Sequence, residues 1–188
     1  SNHSCVSLSI STEEEYNFYN SKYDIGISKL SRGGDTYAQI YFKKMHPLLQ
    51  KYKMDRQAFD KKKLPYNIDY WDKESLCQFL SGYFNADGNI QINQGKHRSI
   101  KLSCKYKCIL EQVAHLLHKI GITAHILKEE KPSRILHSSV NQEDYVMSPS
   151  RLYVLYICTA KDIITFRDNL HFLIREKQER LNSYIPPS

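Results

Sequence analysis

The stretch that decides the fold runs Leu80-Ser81-Gly82-Tyr83-Phe84-Asn85-Ala86-Asp87-Gly88. Apolar side chains recur there and just upstream at three- and four-residue spacing, which predicts an amphipathic helix. Gly82 and Ala86 lie one turn apart on another face of that helix, where small side chains let a second helix approach closely. Gly88 ends the helix, and we expect it to adopt the left-handed conformation common at helix ends. Asp87 would then lie at the end of a helix pair, a position that suits a ligand of a divalent metal ion.

The composition of the chain indicates a folded, basic protein. Its 188 residues are enough for one domain or two compact halves, and 41% apolar and 12% aromatic residues argue against disorder. The formal net charge of +7 makes polyanions the expected partners. No apolar run reaches membrane-spanning length and no targeting segment is recognisable, so we expect no membrane partner. The five cysteines form no CxxC pair, which predicts reduced thiols.

Two alternating segments after the Leu80–Gly88 stretch predict a β-hairpin. Residues 89–93 and 99–105 alternate polar and apolar side chains, with a turn between them. The outer face and the tip of this hairpin carry side chains suited to nucleic acid: Gln91, Asn93, Lys96, His97, Arg98, Lys101 and Lys105. Glutamine and asparagine can read base edges, whereas lysine and arginine mainly meet phosphates. No Asp or Glu occurs between Asn89 and Cys108, so we interpret this face as a nucleic-acid interface.

The rest of the chain continues this alternation of helices and strands. The pattern predicts a helix over 109–120 ended by Gly121, a strand over 123–127, a long polar loop over 128–150, a strand over 151–158 and helices over 161–169 and 173–184. We expect the loop to be mobile or to contact a ligand. From Asp72 onward the order is therefore αββαββα.

The first 66 residues repeat part of this order. Residues 6–11 alternate as residues 100–105 do, and residues 37–42 mirror residues 153–158. An Ile-Gly-Ile sequence at 25–27 and again at 120–122 is expected to end a helix in each copy. The first copy has no counterpart of the Leu80–Gly88 helix or of the strand that follows it. We therefore predict a truncated repeat over 1–66 and a complete one over 67–188.

The Leu80–Gly88 stretch together with this order resembles the LAGLIDADG homing endonucleases. The shared pattern is Leu, a small residue, Gly, two apolar residues, a polar residue, a small residue, an acid and Gly, and Ser81, Tyr83, Phe84 and Asn85 depart from the family's spelling. The resemblance implies an α+β fold of the double-repeat type, with saddle-shaped sheets carrying helices on one face and the first motif helix missing. It also implies that the acid ending each of two paired helices holds Mg²⁺, and that the protein makes double-strand breaks in DNA.

The same resemblance assigns roles to individual residues. Asp87 would be the metal ligand and a catalytic residue, whereas Asn85 is not expected to bind metal. A basic residue near the start of the last helix assists catalysis in the family, and Lys177 or Arg175 occupies that neighbourhood; we choose Lys177. Lys105 is the nearest candidate for a polar catalytic group after the hairpin. The residues expected to pack the motif helices are Gly82, Ala86 and Gly88.

One aspartate makes half an active site, and three hypotheses follow. The first is an endonuclease completed by a missing helix, by a second copy in a homodimer or by another chain. The second is a cleavage-deficient descendant that binds structured RNA, as an intron maturase or an organellar ribosome-associated protein. The third is the homing domain of an intein, although neither end carries recognisable splicing residues. Richness in Lys, Ile, Asn and Tyr suggests an AT-rich coding genome, so we expect an organellar location in a mitochondrion or chloroplast.

Overall fold

The structure is a computed structural model that describes residues 6–10, 12–30, 37–42, 46–54, 62–92, 98–131, 133–137, 144–147 and 150–184. The first part contains β1 (Val6–Ile10), α1 (Glu13–Lys22), β2 (Ile25–Leu30), β3 (Ala38–Phe42), α2 (His46–Lys51) and a 3-10 turn (Ile68–Tyr70). The second contains α3 (Lys73–Asp87), β4 (Gly88–Ile92), β5 (Arg98–Cys104), α4 (Lys107–Lys119), β6 (His125–Lys131), β7 (Arg134–His137), β8 (Asp144–Met147), β9 (Ser150–Ile157), α5 (Ala160–Asn169) and α6 (Arg175–Asn182). None of the helices within these ranges is long and apolar enough to cross a membrane.

The two main antiparallel sheets share one strand order. The second is arranged β4-β5-β9-β6 and the first β1-β3-β2. When β1 is matched to β5, β3 matches β9 and β2 matches β6, so the described part of the first sheet lacks a counterpart of β4. The α+β architecture is therefore the one that the sequence predicts. The boundary between residues 66 and 67 stays a prediction.

Helices cover one face of the four-stranded sheet. Ile90 of β4 pairs with Ile100 of β5, and Leu102 pairs with Leu155 of β9. These side chains are buried with Leu80 and Phe84 of α3 and with the apolar stripe of α4. The alternating pattern placed these residues on the inner face correctly, because one-sided burial fixes which residues of a strand point inward. The first sheet has a smaller buried core of Ile10, Ala38, Ile40 and Phe42.

Helix α3 begins and ends at residues that the sequence marks. The Asp72 Oδ1 atom accepts a hydrogen bond from the Ser75 N–H (2.8 Å), which caps the first turn. The helix ends at Asp87, as predicted. The expected left-handed conformation at Gly88 is wrong, since this residue is extended (φ −77°, ψ 146°). Glycine is needed there because a Cβ atom would lie 2.3 Å from the Phe84 carbonyl oxygen.

Replacing Gly88 with Ala is expected to lower the free energy of unfolding by about 1–3 kcal/mol, because the added methyl group overlaps the backbone of Phe84. Urea unfolding of both proteins measures the difference. Gly82→Ala is the control, since a Cβ atom at that position meets nothing within 4 Å. Equal unfolding midpoints for Gly88→Ala and the parent would contradict this explanation of Gly88.

Two predictions of secondary structure are wrong. The Ile-Gly-Ile sequence at 25–27 belongs to strand β2 and ends no helix, although Gly121 does end α4 with a φ of +85°. Gly26 instead makes room for the ring of Tyr41, whose Cζ atom would lie 2.1 Å from an added Cβ. The predicted loop over 128–150 contains the end of β6 and the paired strands β7 and β8. These two strands are only four residues long and their apolar residues are adjacent, so they show no alternation of polar and apolar side chains.

Candidate nucleic-acid interface and catalytic site

Two of the predicted interface residues, Gln91 and Lys101, share the outer face of the second sheet. Asn89 pairs with Lys101 and Gln91 with Ser99, which places these side chains on the face opposite the buried pair of Ile90 and Ile100. Gln91 is exposed and Lys101 is half-buried. Lys105 is exposed directly after β5 ends at Cys104. A polar, partly basic strip therefore follows the β4–β5 hairpin.

Arg98 does not belong to this strip. It pairs with Ile92, on the side of the hairpin that faces the helices. Its guanidinium carbon lies 4.9 Å from the ring centroid of Tyr184, which is buried. This cation–π contact holds the half-buried guanidinium near Tyr184, and the predicted phosphate contact of Arg98 stays a prediction. Asn93, Lys96 and His97 lie outside the described residues.

Strands β9 and β6 add residues to the outer face that the sequence analysis missed. Tyr156 of β9 pairs with Lys101, and the Lys101 Nζ atom lies 4.7 Å from the centroid of its ring. The Tyr156 hydroxyl donates a hydrogen bond to the Glu129 carboxylate of β6, and this bond raises the pKa of Tyr156 to about 12. The acid-free character of the hairpin thus does not extend across the sheet. Continuing the alternation of β6 to Lys131 would have revealed Glu129.

Asp87 lies exposed at the C-terminal end of α3. The pKa of Tyr83 is raised to about 12, mainly by burial and further by Cys104 and by the charge of Asp87. The phenol of Tyr83 is therefore within electrostatic range of the Asp87 carboxylate. Within the described ranges, no group of three or more His, Cys, Asp or Glu side chains could hold a metal ion. Asp87 is therefore a single carboxylate available for a shared site.

Asn85 joins α3 to α6. Its side chain is buried, and its Oδ1 atom accepts hydrogen bonds from the backbone N–H groups of Leu173 (3.1 Å) and Ile174 (3.4 Å). Ile174 precedes α6 and has no side chain that could cap it. Asn85 thus caps α6 from another helix, a role that no local pattern in the sequence indicates.

Lys177 of α6 is held at the same end of α3. Its Nζ atom donates a hydrogen bond to the Asn85 carbonyl oxygen (2.8 Å). Burial lowers the pKa of Lys177, while the charges of Glu15 and Asp87 act in the opposite direction. Arg175, the alternative, is exposed and has its Nε atom 2.7 Å from the Glu179 carboxylate. The structure therefore brings Lys177 rather than Arg175 near Asp87.

Gly82 and Ala86 form an open face of α3. Both are exposed, and a Cβ atom at Gly82 would meet nothing within 4 Å. The predicted packing against a second motif helix is therefore absent from the described part of the chain. A neighbouring side of the helix is occupied, since the Ser81 hydroxyl oxygen accepts a hydrogen bond from the His171 N–H (3.0 Å).

The fold and these residues define a LAGLIDADG homing endonuclease-like protein. The chain belongs to the family described as the LAGLIDADG-like domain, which matches residues 74–171, just over half of its length. The fold is similar to that of mesophilic variants of the homing endonuclease I-DmoI, with a TM-score of 0.51, 17% identity and coverage of 90% of this chain and 82% of that one. A structure of I-DmoI in complex with DNA and Ca gives a TM-score of 0.50 at 16% identity, covering 96% and 83%.

The chain is also similar in sequence to a protein named as a translation initiation factor. A probable translation initiation factor IF-2 of Methanocaldococcus jannaschii is 28% identical over 126 residues, 67% of this chain. The chain spans about 10% of the length of that relative. The similarity thus concerns one segment of a much longer protein.

Proposed function

We propose that this chain is the larger part of a site-specific endonuclease that binds double-stranded DNA and cuts both strands with Mg²⁺. A second motif helix, from a segment or chain outside the described residues, would complete it. The observation that carries the proposal is the position of Asp87, exposed where the open face of α3 ends and close to Lys177.

The outer sheet face supports binding of a duplex. An antiparallel ribbon fits the major groove, where base edges differ in their donors and acceptors. Gln91 supplies an amide for such edges, while Lys101 and Lys105 supply positive charge for phosphates. The net charge of +7 favours association with a polyanion at any sequence.

Asp87 fits one half of a Mg²⁺ site. A hard divalent ion prefers carboxylate oxygen ligands and usually keeps several waters, so an exposed carboxylate suits it, whereas the second acid must come from another helix. When bound, such an ion activates a water molecule and stabilises the leaving oxygen of phosphodiester cleavage. Lys177 adds a positive charge at the same end of α3, and burial lowers its pKa, which makes its proton easier to donate.

The open face of α3 fits the proposed second helix. Backbones of paired helices approach closely where only Gly and Ala separate them, and Gly82 and Ala86 provide this on one face. An acid at the end of the incoming helix would then lie beside Asp87. Either a second copy of this chain or a separate segment could supply it.

A chain extended by its own motif tests the proposal. A copy of residues 72–97 would be joined ahead of Val6. This copy supplies a second motif helix, the strand after it and a second aspartate equivalent to Asp87. Duplexes selected by the protein from a randomised pool are the substrates. We expect double-strand cuts in Mg²⁺ and none in EDTA. Failure of a folded extended protein to cut any selected duplex would contradict the endonuclease proposal.

Gly82→Leu separates folding from helix pairing. The chain alone is expected to unfold at the same urea concentration or higher, because Leu favours a helix by up to about 1 kcal/mol over Gly and nothing lies near the new side chain. The cutting of the extended protein should fall at least about tenfold, since the bulky residue separates the helices. Glu111→Leu, on an exposed face of α4, is the control. Equal cutting by the Gly82 and Glu111 variants would place the pairing face elsewhere.

RNA binding by a cleavage-deficient descendant is the alternative. Competition between structured RNA and duplex DNA at about 0.15 M salt decides it, because phosphate contacts make affinity strongly dependent on salt. We expect the protein to bind the duplex more tightly than the RNA. Tighter binding of RNA than of the duplex, with no metal-dependent cutting, would favour a maturase or ribosome-associated role. An organellar location stays part of the proposal.

A third candidate is a homing domain carried inside a host protein. It is favoured by the similarity to one segment, a tenth of the length, of a protein named as a translation initiation factor. An intein would place a nuclease-like domain in such a position. Expression of this chain with its native flanking sequence would release a spliced host product if the candidate is correct, and an uncut precursor would exclude it.

A further inference from the structure

Glu129 places a carboxylate on the outer face of the sheet. His125 pairs with Tyr156 and Leu127 with Val154, so the side chains at 125, 127 and 129 share the face that carries Lys101. Side chains at alternating positions of a strand point to the same face. Glu129 therefore lies on the surface that we propose to meet DNA.

The position of this carboxylate is fixed by its neighbours. Tyr156 is opposite His125, yet its hydroxyl reaches Glu129 four residues farther along β6, so the ring lies along the sheet. Val154, between them on the same face, is 1% exposed. The Lys101 ammonium group lies over the same ring, 4.7 Å from its centroid. Three strands thus contribute to one arrangement: Lys101 of β5, Tyr156 of β9 and Glu129 of β6.

A fixed carboxylate on this face weakens general binding to DNA but can accept a hydrogen bond from a base. It repels phosphates, so it does not add to general affinity for DNA. At a base edge, however, it accepts hydrogen bonds only, and in the major groove the N4 amino group of cytosine is its usual partner. The oxygens that guanine and thymine present there would be rejected, because two acceptors face each other. Adenine also presents an amino group, but beside its N7 acceptor, which the carboxylate would meet as well.

The neighbouring position on β6 fits the same use. Leu127 presents an apolar side chain on this face and is 57% exposed. Apolar side chains contact the methyl group of thymine in the major groove. Residues 127 and 129 are separated by two strand steps of about 3.4 Å each, close to the spacing of two base pairs.

We propose that Glu129 is a specificity-determining residue, which selects cytosine at one position of the DNA site by accepting a hydrogen bond from its amino group. Tyr156 is its positioning residue. The proposal rests on the duplex binding proposed above and adds a base preference to it.

Selection from a randomised duplex pool, without Mg²⁺ and at about 0.1 M salt, tests this. The full chain should enrich cytosine at one position, and Glu129→Gln should reduce that enrichment about tenfold while leaving general duplex affinity equal or higher. Tyr156→Phe keeps the ring and removes the hydroxyl, so the enrichment should fall by a smaller factor. Urea unfolding checks that each variant is folded.

Glu130→Gln is the matched control. Glu130 is the next residue of β6, on the opposite side, and its carboxylate lies 3.0 Å from the Lys128 Nζ atom and 3.3 Å from the Arg151 Nε atom. This variant should keep the parent's base profile. The inference is overturned if Glu129→Gln keeps the parent's base profile, or if Glu130→Gln loses the cytosine preference to the same extent as Glu129→Gln. Neither outcome contradicts the proposed binding of duplex DNA. Absence of any duplex binding by the parent overturns the proposed function as well.

Discussion

Asp87→Asn is expected to reduce duplex cutting by the extended, two-motif protein more than about 100-fold. The amide keeps the size of the side chain but removes the negative charge that holds a divalent ion. Changes to groups that merely support metal ligands already cost about 10–100-fold, so loss of a ligand should cost more. Binding to the selected duplex in Ca²⁺-free buffer should stay within about twofold, since Asp87 lies at the end of α3 and not on the outer sheet face.

Asp69→Asn is the control for this loss of charge. Asp69 is an exposed aspartate in the 3-10 turn before α3, and its carboxylate lies 3.4 Å from the His115 Nε2 atom. Its variant should cut as the parent does. Cutting by Asp87→Asn at the parent's rate would remove Asp87 from the catalytic residues and leave the fold assignment intact.

Asn85→Leu is expected to lower the free energy of unfolding by about 2–4 kcal/mol. Leucine has nearly the same shape but cannot accept the hydrogen bonds from Leu173 and Ile174. Each amide group that loses its partner inside a protein costs about 1–3 kcal/mol. The start of α6 should loosen, and Lys177 should lose its fixed position near Asp87. Urea unfolding measures the first effect.

Asn85→Asp distinguishes this cap from simple packing. Its carboxylate accepts the same two hydrogen bonds, and negative charge at the N-terminal end of α6 is favourable. We expect it to recover most of the stability that Asn85→Leu loses. Equal destabilisation by both variants would show that Asn85 acts through its shape rather than as a cap.

The sequence predicted the elements that depend on local patterns. The end of α3 at Asp87 and the pairing of β4 with β5 were each predicted from neighbouring residues, because a helix end or an alternation needs only a few positions. It failed at Gly88 and at residues 25–27, where glycine serves a contact with another residue rather than a turn. It also missed β7 and β8, four-residue strands whose apolar residues stand next to each other and do not alternate with polar ones.

The residues of the candidate site likewise fall into those that local patterns predicted and those that they did not. Asp87, Gly82 and Ala86 were found from the motif, and Gln91, Lys101 and Lys105 from the alternation of the hairpin. Arg98 was predicted at the tip of the hairpin, whereas its pairing with Ile92 places it on the side that faces the helices. Lys177 was chosen from its neighbourhood alone, and only its contact with Asn85 distinguishes it from Arg175.

By itself, the sequence determined the family, the helix–hairpin unit of α3, β4 and β5, and the residue that ends the motif helix, since each follows from spacing along the chain. Tertiary structure decided which residues meet: Asn85 with the start of α6, Lys177 with the end of α3, and Glu129 with Tyr156 and Lys101. These partners are separated by 27 to 92 positions where a hydrogen bond joins them. No local pattern encodes such contacts, because they arise only when strands and helices distant in sequence pack against one another.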